Sequence, residues 1–595
     1  MSNKRLSLSI LLTLLLACFA VLGGAAMAAD EKPEPQVDLL WGLKIPMRDG
    51  VKLGATVYRP HDQKEPLPVI FTLTPYISDT YFERASYFAK NGYVFVLVDV
   101  RGRGNSEGRF EPSANEGRDG HDVVEWLARQ PWCDGKVAMW GGSYAGFDQW
   151  STLKEFPPHL KTIAPAAAPH PGVDTPFLHN VFPSYRIQWL TYISGTTSNN
   201  NLFGNSEFWT NKFTELYMKH LPFKDLDQVV GNTSTYFQKL VEHPTPDAYW
   251  NAMAPTQEDY KRLSVPILTI TGYYDTSQPG AMTYYRRHMQ HGTADAKAEH
   301  YLIIGPWDHA GTRTPKKEVG GLTFGEASVL DLNNLHKEWY DWTMKNGKKP
   351  EFLKKRVTYY VPGAEVWRYA DSLEVIANET RRLYLSSRDG HANDVFQSGT
   401  LTTQEQGQES PDKYIYDPLD TRPAALEQKP APTGITDPIA VLNPFSNGLV
   451  YHSDPFPEDT EITGYLKFVV WIAMDVPDTD FAVSVYEIKP DGTRILLTAD
   501  LIRARYRDSP TQEKLVEEGQ INRYAFDGFR FFSRRIAKGS RLRLVLACPN
   551  SIQWEKNYNS GGVVATESGK DARTAHVTLY HDSEHPSFLE VPIVK

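Results

Sequence analysis

The sequence predicts an α/β protein extended by a second, all-β domain, and three observations predict it. Short apolar runs bounded by turn residues lie at 67–73, 93–98, 136–140, 266–271 and 301–304. Their near-continuous Val, Ile and Leu content is what strands covered on both faces require. Helical patterns fall between them, as at 121–129, where Val123, Val124, Trp126 and Leu127 form an apolar face. Alternation of this kind means a mostly parallel sheet with helices on its faces. Beyond about residue 350 the pattern changes to period-2 alternation with frequent turn residues, at 382–385, 465–471, 481–488, 541–546 and 576–580. Many short strands with Asp-Gly and Pro-rich joints indicate a β-sandwich.

The chain has 595 residues, too many for one core. Hydrophobic content of 41%, charge of 23%, 14 Trp and 31 Tyr describe a folded protein rich in aromatic walls. Residues 1–28 read as a secretory signal: Lys4 and Arg5, an apolar run over 6–22, then Ala26-Met27-Ala28. Cleavage is expected after Ala28, giving a secreted or periplasmic protein with no stable membrane insertion. Cys18 sits in a poor match to a lipidation box. Removing this segment takes away two positive charges and no negative ones, moving the formal charge from -9 to -11, which argues against nucleic acid as a partner. The mature chain keeps Cys133 and Cys548, whose pairing the sequence leaves open.

In chain order, 29–171 form the first part of the α/β core. It opens with a hairpin around Asp49-Gly50, a turn signal between two apolar stretches. Residues 172–260 mix aromatic and polar side chains at helical spacing without strand runs and read as a helical cap. Inserted before the 266–271 strand, the cap would lie over the carboxyl end of the sheet, where α/β ligands bind. Residues 261–350 complete the core, and 351–595 make the β domain. Within it 401–445, rich in Gln, Pro and Thr, reads as a long surface connection.

The chemistry starts at Lys136 to Gly146, where an apolar run feeds into Gly141-Gly142-Ser143-Tyr144-Ala145-Gly146. Only tiny neighbours allow a strand to turn sharply into a helix and expose a serine hydroxyl at the corner, so Ser143 is the candidate nucleophile. A serine needs a base, and the base an orienting acid. The 266–271 run leads into Gly272-Tyr273-Tyr274-Asp275, and the 301–304 run into Gly305-Pro306-Trp307-Asp308-His309. Asp275 and His309 thus follow later strands in the order serine, acid, histidine that α/β hydrolases use. Asp308 competes for the acid role, but an adjacent residue rarely reaches its neighbour's Nδ1. For the oxyanion, the Tyr144 backbone N–H is one donor, and the loop Thr74-Pro75-Tyr76 should bring the second; the Tyr76 hydroxyl could supply it, with Tyr76 as a plain wall residue the alternative.

These segments, with Asp99-Val100-Arg101-Gly102-Arg103-Gly104-Asn105-Ser106-Glu107-Gly108, resemble the cocaine esterase and X-Pro dipeptidyl-peptidase family of serine hydrolases. That family also includes α-amino acid ester hydrolases and glutaryl-cephalosporin acylases. The likeness continues into the β domain through 477–481 and 501–507, so it runs from about residue 38 to the end. It implies an α/β-hydrolase core, a helical cap and a C-terminal jelly roll. It also implies Ser143, Asp275 and His309 as triad, with Tyr76 and Tyr144 at the oxyanion. One departure is that the glycine after the serine comes three positions on, at Gly146. Members that read an α-ammonium group use acidic side chains near the pocket; Asp79, Asp174 and Glu207 are candidates without a positional match.

The expected activity is hydrolysis of small ester or amide substrates through an acyl-enzyme. X-Pro dipeptide release is one alternative, and a non-catalytic binding protein on the same fold another. No cofactor or metal is expected. Asp475, Asp478 and Asp480 fall in a turn between strands rather than a calcium loop, and His291 and His300 lack ligand spacing. Oligomeric state and the particular substrate stay open.

Overall fold

The structure, a computed structural model, describes residues 36–387, 390–428, 435–436 and 442–595. The expected signal segment lies outside the described residues. Among the described residues, no helix is long and apolar enough to cross a membrane.

The core sheet has ten strands: β1 (Val37–Pro46), β2 (Lys52–Pro60), β3 (Leu67–Thr74), β4 (Val94–Asp99), β5 (Cys133–Gly142), β6 (Leu160–Ala166), β7 (Ile267–Tyr274), β8 (His300–Asp308), β9 (Val357–Val361) and β10 (Val366–Ala370). They pair in the order β1-β2-β4-β3-β5-β6-β7-β8-β9-β10. The β1–β2 hairpin is antiparallel in register Pro46↔Lys52, closed by the Met47 N–H donating to Val51 O at 2.8 Å with Gly50 at φ 88°. From β4 and β3 through β9 the pairing is parallel.

Side-chain alternation explains why these strands are apolar throughout. Val69, Phe71, Val94, Val96 and Val98 face one side and pack with Val123, Val124 and Leu127 of helix α2 (Glu116–Ala128) and Trp150 and Leu153 of α3 (Tyr144–Leu153). Ile70, Phe95 and Leu97 face the other side, against Phe88 of α1 (Phe82–Lys90) and Trp339 and Tyr340 of a later helix (Leu332–Lys345). Both faces are dry, as the parallel sheet demands. Helix α2 begins earlier than its apolar pattern, because Gly117 and Gly120 sit where α3 approaches. A Cβ on Gly117 would meet Ser151 O at 2.6 Å, and one on Gly120 would overlap the Thr152 side chain.

Between β6 and β7 the chain forms the cap, whose helices run from α4 (Tyr185–Tyr192) to Gln257–Arg262. Its own core contains Phe182, Ile187, Leu190, Trp209 and Phe213, and Ile552 and Ala565 of the β domain join it. The β domain is a thirteen-stranded sheet assembly whose core also takes in Tyr273, Leu302 and Ile304 of the α/β core. Two expectations change. The core does not end at residue 350: β9 and β10 extend its sheet, and the β domain's own pairing starts with the strand Glu379–Ser386. The stretch 401–445 is not all connection either, since Asp412–Tyr416 pairs with Ala575–Tyr580; its residues 429–434 and 437–441 lie outside the described residues.

Cys133 and Cys548 are free, buried thiols in separate cores, and burial pushes them up to about 11 and about 12. The aspartates near 478 hold arginines. Asp480 takes a two-point hydrogen bond from Arg503 at 2.8 and 2.9 Å, and Asp478 accepts from Arg505 at 2.8 Å. Arg503 also donates to Glu555 at 2.8 Å, whose other neighbour is the Phe182 N–H of the cap at 3.0 Å. Asp475 pairs with His576 at 2.7 Å. His300 is buried against His288 and Thr269, and His291 lies in the last turn of its helix.

This buried Arg503 link yields a stability prediction. Arg503→Met strands Asp480 and Glu555 without their shared cation, and breaking such a pair costs about 3–5 kcal/mol. Thermal unfolding of the variant is expected at a clearly lower midpoint, and an unchanged midpoint contradicts the role assigned to the pair.

Candidate active site

Ser143 occupies the corner between β5 and α3 with φ 60° and ψ -128°, a conformation that a residue with a side chain rarely holds. The surrounding small residues make the corner fit. A Cβ on Gly141 would lie 2.7 Å from the Ala145 Cβ, and one on Gly146 would lie 2.8 Å from Ala166 O. On Gly142 it would run into the Arg313 side chain. Backbone hydrogen bonds fix the turn: Ser143 N–H to Ala166 O at 2.9 Å, and the Gly146 and Phe147 N–H groups to Ser143 O at 2.8 and 3.1 Å. Gly146 serves at its shifted position because it is the residue that touches β6.

Asp275 directly follows β7 and His309 directly follows β8, so both stand at carboxyl ends of neighbouring strands. Asp275 Oδ1 is 2.7 Å from His309 Nδ1; the aspartate side chain is fully buried and the histidine 36% exposed. Asp275 also accepts the Ser277 N–H at 2.9 Å and the Thr271 hydroxyl at 3.3 Å. Burial acts to raise the Asp275 pKa, but the His309 imidazole and the Ser277 N–H more than offset it, and the carboxyl lies below its ordinary value. Asp308 is exposed and accepts the Gly311 N–H at 2.7 Å, a turn contact away from the imidazole.

Tyr76 lies just beyond the end of β3, and its hydroxyl is 3.2 Å from Ser143 Oγ. The Tyr144 backbone N–H sits beside the same phenol oxygen. The cap completes this cluster: Trp189 Nε1 donates to the Tyr76 hydroxyl at 3.2 Å, the Trp189 ring stacks on Tyr144, and Tyr192 stacks on Tyr76. Burial raises the Tyr76 pKa, partly countered by its bonds to Ser143 and Trp189, so the phenol keeps its proton as a donor.

All this opens on one cavity of about 370 Å³, within the range of small-molecule sites. Ser143, His309, Tyr76 and Tyr144 line it together. Asp275 stands behind His309. Of the three acids proposed from sequence, Asp174 lines the cavity. Asp79 instead lies beside Thr56, whose hydroxyl it accepts at 3.2 Å, and Glu207 is exposed in the first turn of the cap helix Ser206–Met218. Sequence reasoning missed Arg186 and Trp189 of the cap and Arg530 and Trp554 of the β domain. No local pattern marks them, because they reach the cavity only through domain packing. Among the described residues, no cluster of His, Cys, Asp and Glu could hold a metal ion.

Comparison with known proteins agrees with this architecture. A family model described as X-Pro dipeptidyl-peptidase (S15 family) matches residues 49–311, and one described as X-Pro dipeptidyl-peptidase C-terminal non-catalytic domain matches 341–590. Cocaine esterase of Rhodococcus sp. (strain MB1 Bresler) is 27% identical, over 93% of this chain and 98% of its own length. A putative serine esterase of Mycobacterium bovis is 24% identical, over 93% of this chain and 95% of its own. Among solved structures, an α-amino acid ester hydrolase superposes with TM-score 0.81 at 20% identity, covering 96% of this chain and all of that one. An aminopeptidase from a marine sediment Thaumarchaeota archaeon gives 0.79 at 21% identity, covering 96% and 99%. With two models of one family matched in order along an α/β-hydrolase core and an all-β domain, the chain belongs to the cocaine esterase and X-Pro dipeptidyl-peptidase family of serine hydrolases.

Proposed function

We propose that the protein cleaves small ester or amide substrates through a Ser143 acyl-enzyme, with His309 as base and Asp275 as its orienting acid. The observation that carries this reading is the 2.7 Å contact of His309 Nδ1 with buried Asp275, in a histidine that shares one cavity with the strained Ser143. Because Nδ1 is committed to Asp275, Nε2 is the nitrogen left to accept the Ser143 proton. The hydroxyl oxygen then bonds to the substrate carbonyl carbon, and negative charge moves to the carbonyl oxygen. Tyr76 O–H, 3.2 Å from Ser143 Oγ, and the N–H of Tyr144, the residue that follows the serine, are the donors for that oxyanion. His309 passes its proton to the departing alcohol or amine. Water, deprotonated by the same imidazole, releases the acid and restores Ser143.

X-Pro dipeptide release is the second reading, supported by the family description and by the Asp174 carboxyl in the cavity wall. The relatives named above are hydrolases, and none supports the non-catalytic alternative. The protein is further proposed to be secreted or periplasmic, on the strength of the basic, apolar and small-residue segments of 1–28.

Three expected outcomes follow. A fluorophosphonate probe labels the wild type and not Ser143→Ala, whose kcat falls by about 10⁶-fold, while Tyr76→Phe loses about 10²–10³-fold in kcat; labelling that survives Ser143→Ala rejects the nucleophile. The carboxyl of Asp275 is held below its ordinary value by the His309 imidazole and the Ser277 N–H, so it is ionised throughout the neutral and mildly acidic range, and Asp275→Asn lowers kcat by about 10⁴-fold across that range; an Asp275→Asn enzyme that matches the wild type at mildly acidic pH contradicts this. Intact-mass measurement of the exported protein places the mature N-terminus at Ala29, and an unprocessed chain contradicts export.

A further inference from the structure

The glycine-rich segment that runs from Asp99, the last residue of β4, to Gly108 takes no part in the chemistry above, yet it folds onto the loop that carries Tyr76. Three contacts pin that loop. The Val100 N–H donates to Thr74 O at 3.1 Å, Asp99 Oδ1 accepts the Ser78 N–H at 2.6 Å, and between them Arg103 Nε donates to Pro75 O at 2.8 Å. Pro75 O belongs to the peptide that leads into Tyr76, so this bond acts one residue from the phenol assigned to the oxyanion. The turn around Arg103 needs glycine at 104, where φ is 52° and a Cβ would meet Asp99 Oδ2 at 2.1 Å.

The other end of Arg103 grips the cap. Nη1 donates to Ser194 O and Thr197 O, each at 3.2 Å, and to Gly195 O, while Nη2 donates to Ser198 Oγ at 3.0 Å. The neighbouring Gly104 N–H adds a bond to Thr196 O at 2.7 Å. This stretch of the cap follows α4, the helix whose Trp189 donates to the Tyr76 hydroxyl and whose Tyr192 stacks on the Tyr76 ring. Arg103 is fully buried and all of these bonds go to neutral oxygens, with Asp99 attracting it from the same segment. Burying a guanidinium on neutral acceptors is costly. What it supplies is a planar fork that donates in two directions at once, which a lysine ammonium on its flexible stem cannot reproduce.

We propose that Arg103 is a positioning residue for the oxyanion donor. One guanidinium fixes the backbone that leads into Tyr76 and the end of the helix whose side chains hold the Tyr76 phenol, so the O–H stays at its place beside Ser143 Oγ. Arg103 stands outside the cavity wall and touches no reacting atom. The inference rests on the hydrolase reading above, with Tyr76 as an oxyanion donor, and adds what holds that donor in place.

The test is a double-mutant cycle on the full-length protein with p-nitrophenyl butyrate, rates being taken per active site titrated with a fluorophosphonate so that unfolded protein drops out. Arg103→Lys alone is expected to lower kcat and kcat/KM together by about ten- to a hundredfold, with KM within about threefold, because a small misplacement of a transition-state contact costs that much. In the Tyr76→Phe background the same substitution costs no more than about threefold, since the group it positions is already gone. An equal loss in both backgrounds, or a rise in KM with kcat kept, makes the arginine a structural brace and overturns the proposal. Where Arg103→Lys does not fold, Ser198→Ala takes away one cap acceptor and leaves the guanidinium in place. It is then expected to lose about threefold in kcat on its own and nothing in the Tyr76→Phe background; wild-type activity in Ser198→Ala overturns the proposal. Tyr76→Phe as active as the wild type defeats the proposal while Ser143-dependent turnover leaves the hydrolase reading standing. Absence of Ser143-dependent turnover in the wild type defeats both.

Discussion

The structure depends on holding Ser143 in a left-handed backbone conformation at the end of the central strand. That conformation costs on the order of 1–3 kcal/mol, and it persists only because the packing around it leaves no alternative. Gly141, Gly142, Ala145 and Gly146 let β5 turn into α3 at van der Waals distance from β6, and three backbone hydrogen bonds lock the turn. The corner lifts the hydroxyl out of the sheet and directs the first turn of α3, with the Tyr144 N–H, at the same point. β3, β7 and β8 then deliver Tyr76, Asp275 and His309 to the same edge, because parallel strands present all their carboxyl ends on one side.

Three separate parts of the chain close the cavity over that edge. The α/β core supplies the serine, imidazole and phenol, the cap supplies Trp189 and Arg186, and the β domain supplies Arg530 and Trp554. The Trp189 bond to Tyr76 places a cap side chain directly on the group assigned to the oxyanion, so the position of the cap and the donor geometry are coupled. The cap is in turn tied to the β domain by shared core residues and by the Glu555 link between Arg503 and Phe182. A domain whose family description calls it non-catalytic thus forms part of the wall of the cavity that holds Ser143.

What the sequence could disclose follows from the range of each interaction. The elbow was legible because its constraint is local and only glycine or alanine meets it. Asp275 and His309 were legible because each follows an apolar run that announces a buried strand. β6 escaped, since Pro165 and three alanines between 164 and 167 blur its pattern, and the first turn of α2 was hidden by glycines that serve helix packing. The boundary at 350 moved because β9 and β10 lie beyond the last helix of the core yet pair with its sheet, β9 in parallel with β8 and β10 antiparallel to β9. Arg530 was beyond reach: nothing in its neighbours shows that it lines a cavity with a serine nearly four hundred positions earlier.

The central claim is that Ser143 Oγ, Tyr76 O–H and Tyr144 N–H surround one reacting carbon, with His309 beside them. A crystal structure of the protein after reaction with a fluorophosphonate tests it most directly. The account predicts phosphorus bonded to Ser143 Oγ, its free oxygen within hydrogen-bond reach of the Tyr76 hydroxyl and the Tyr144 amide, and His309 Nε2 facing the adduct. An adduct on another residue, or an oxygen turned away from both donors, contradicts it.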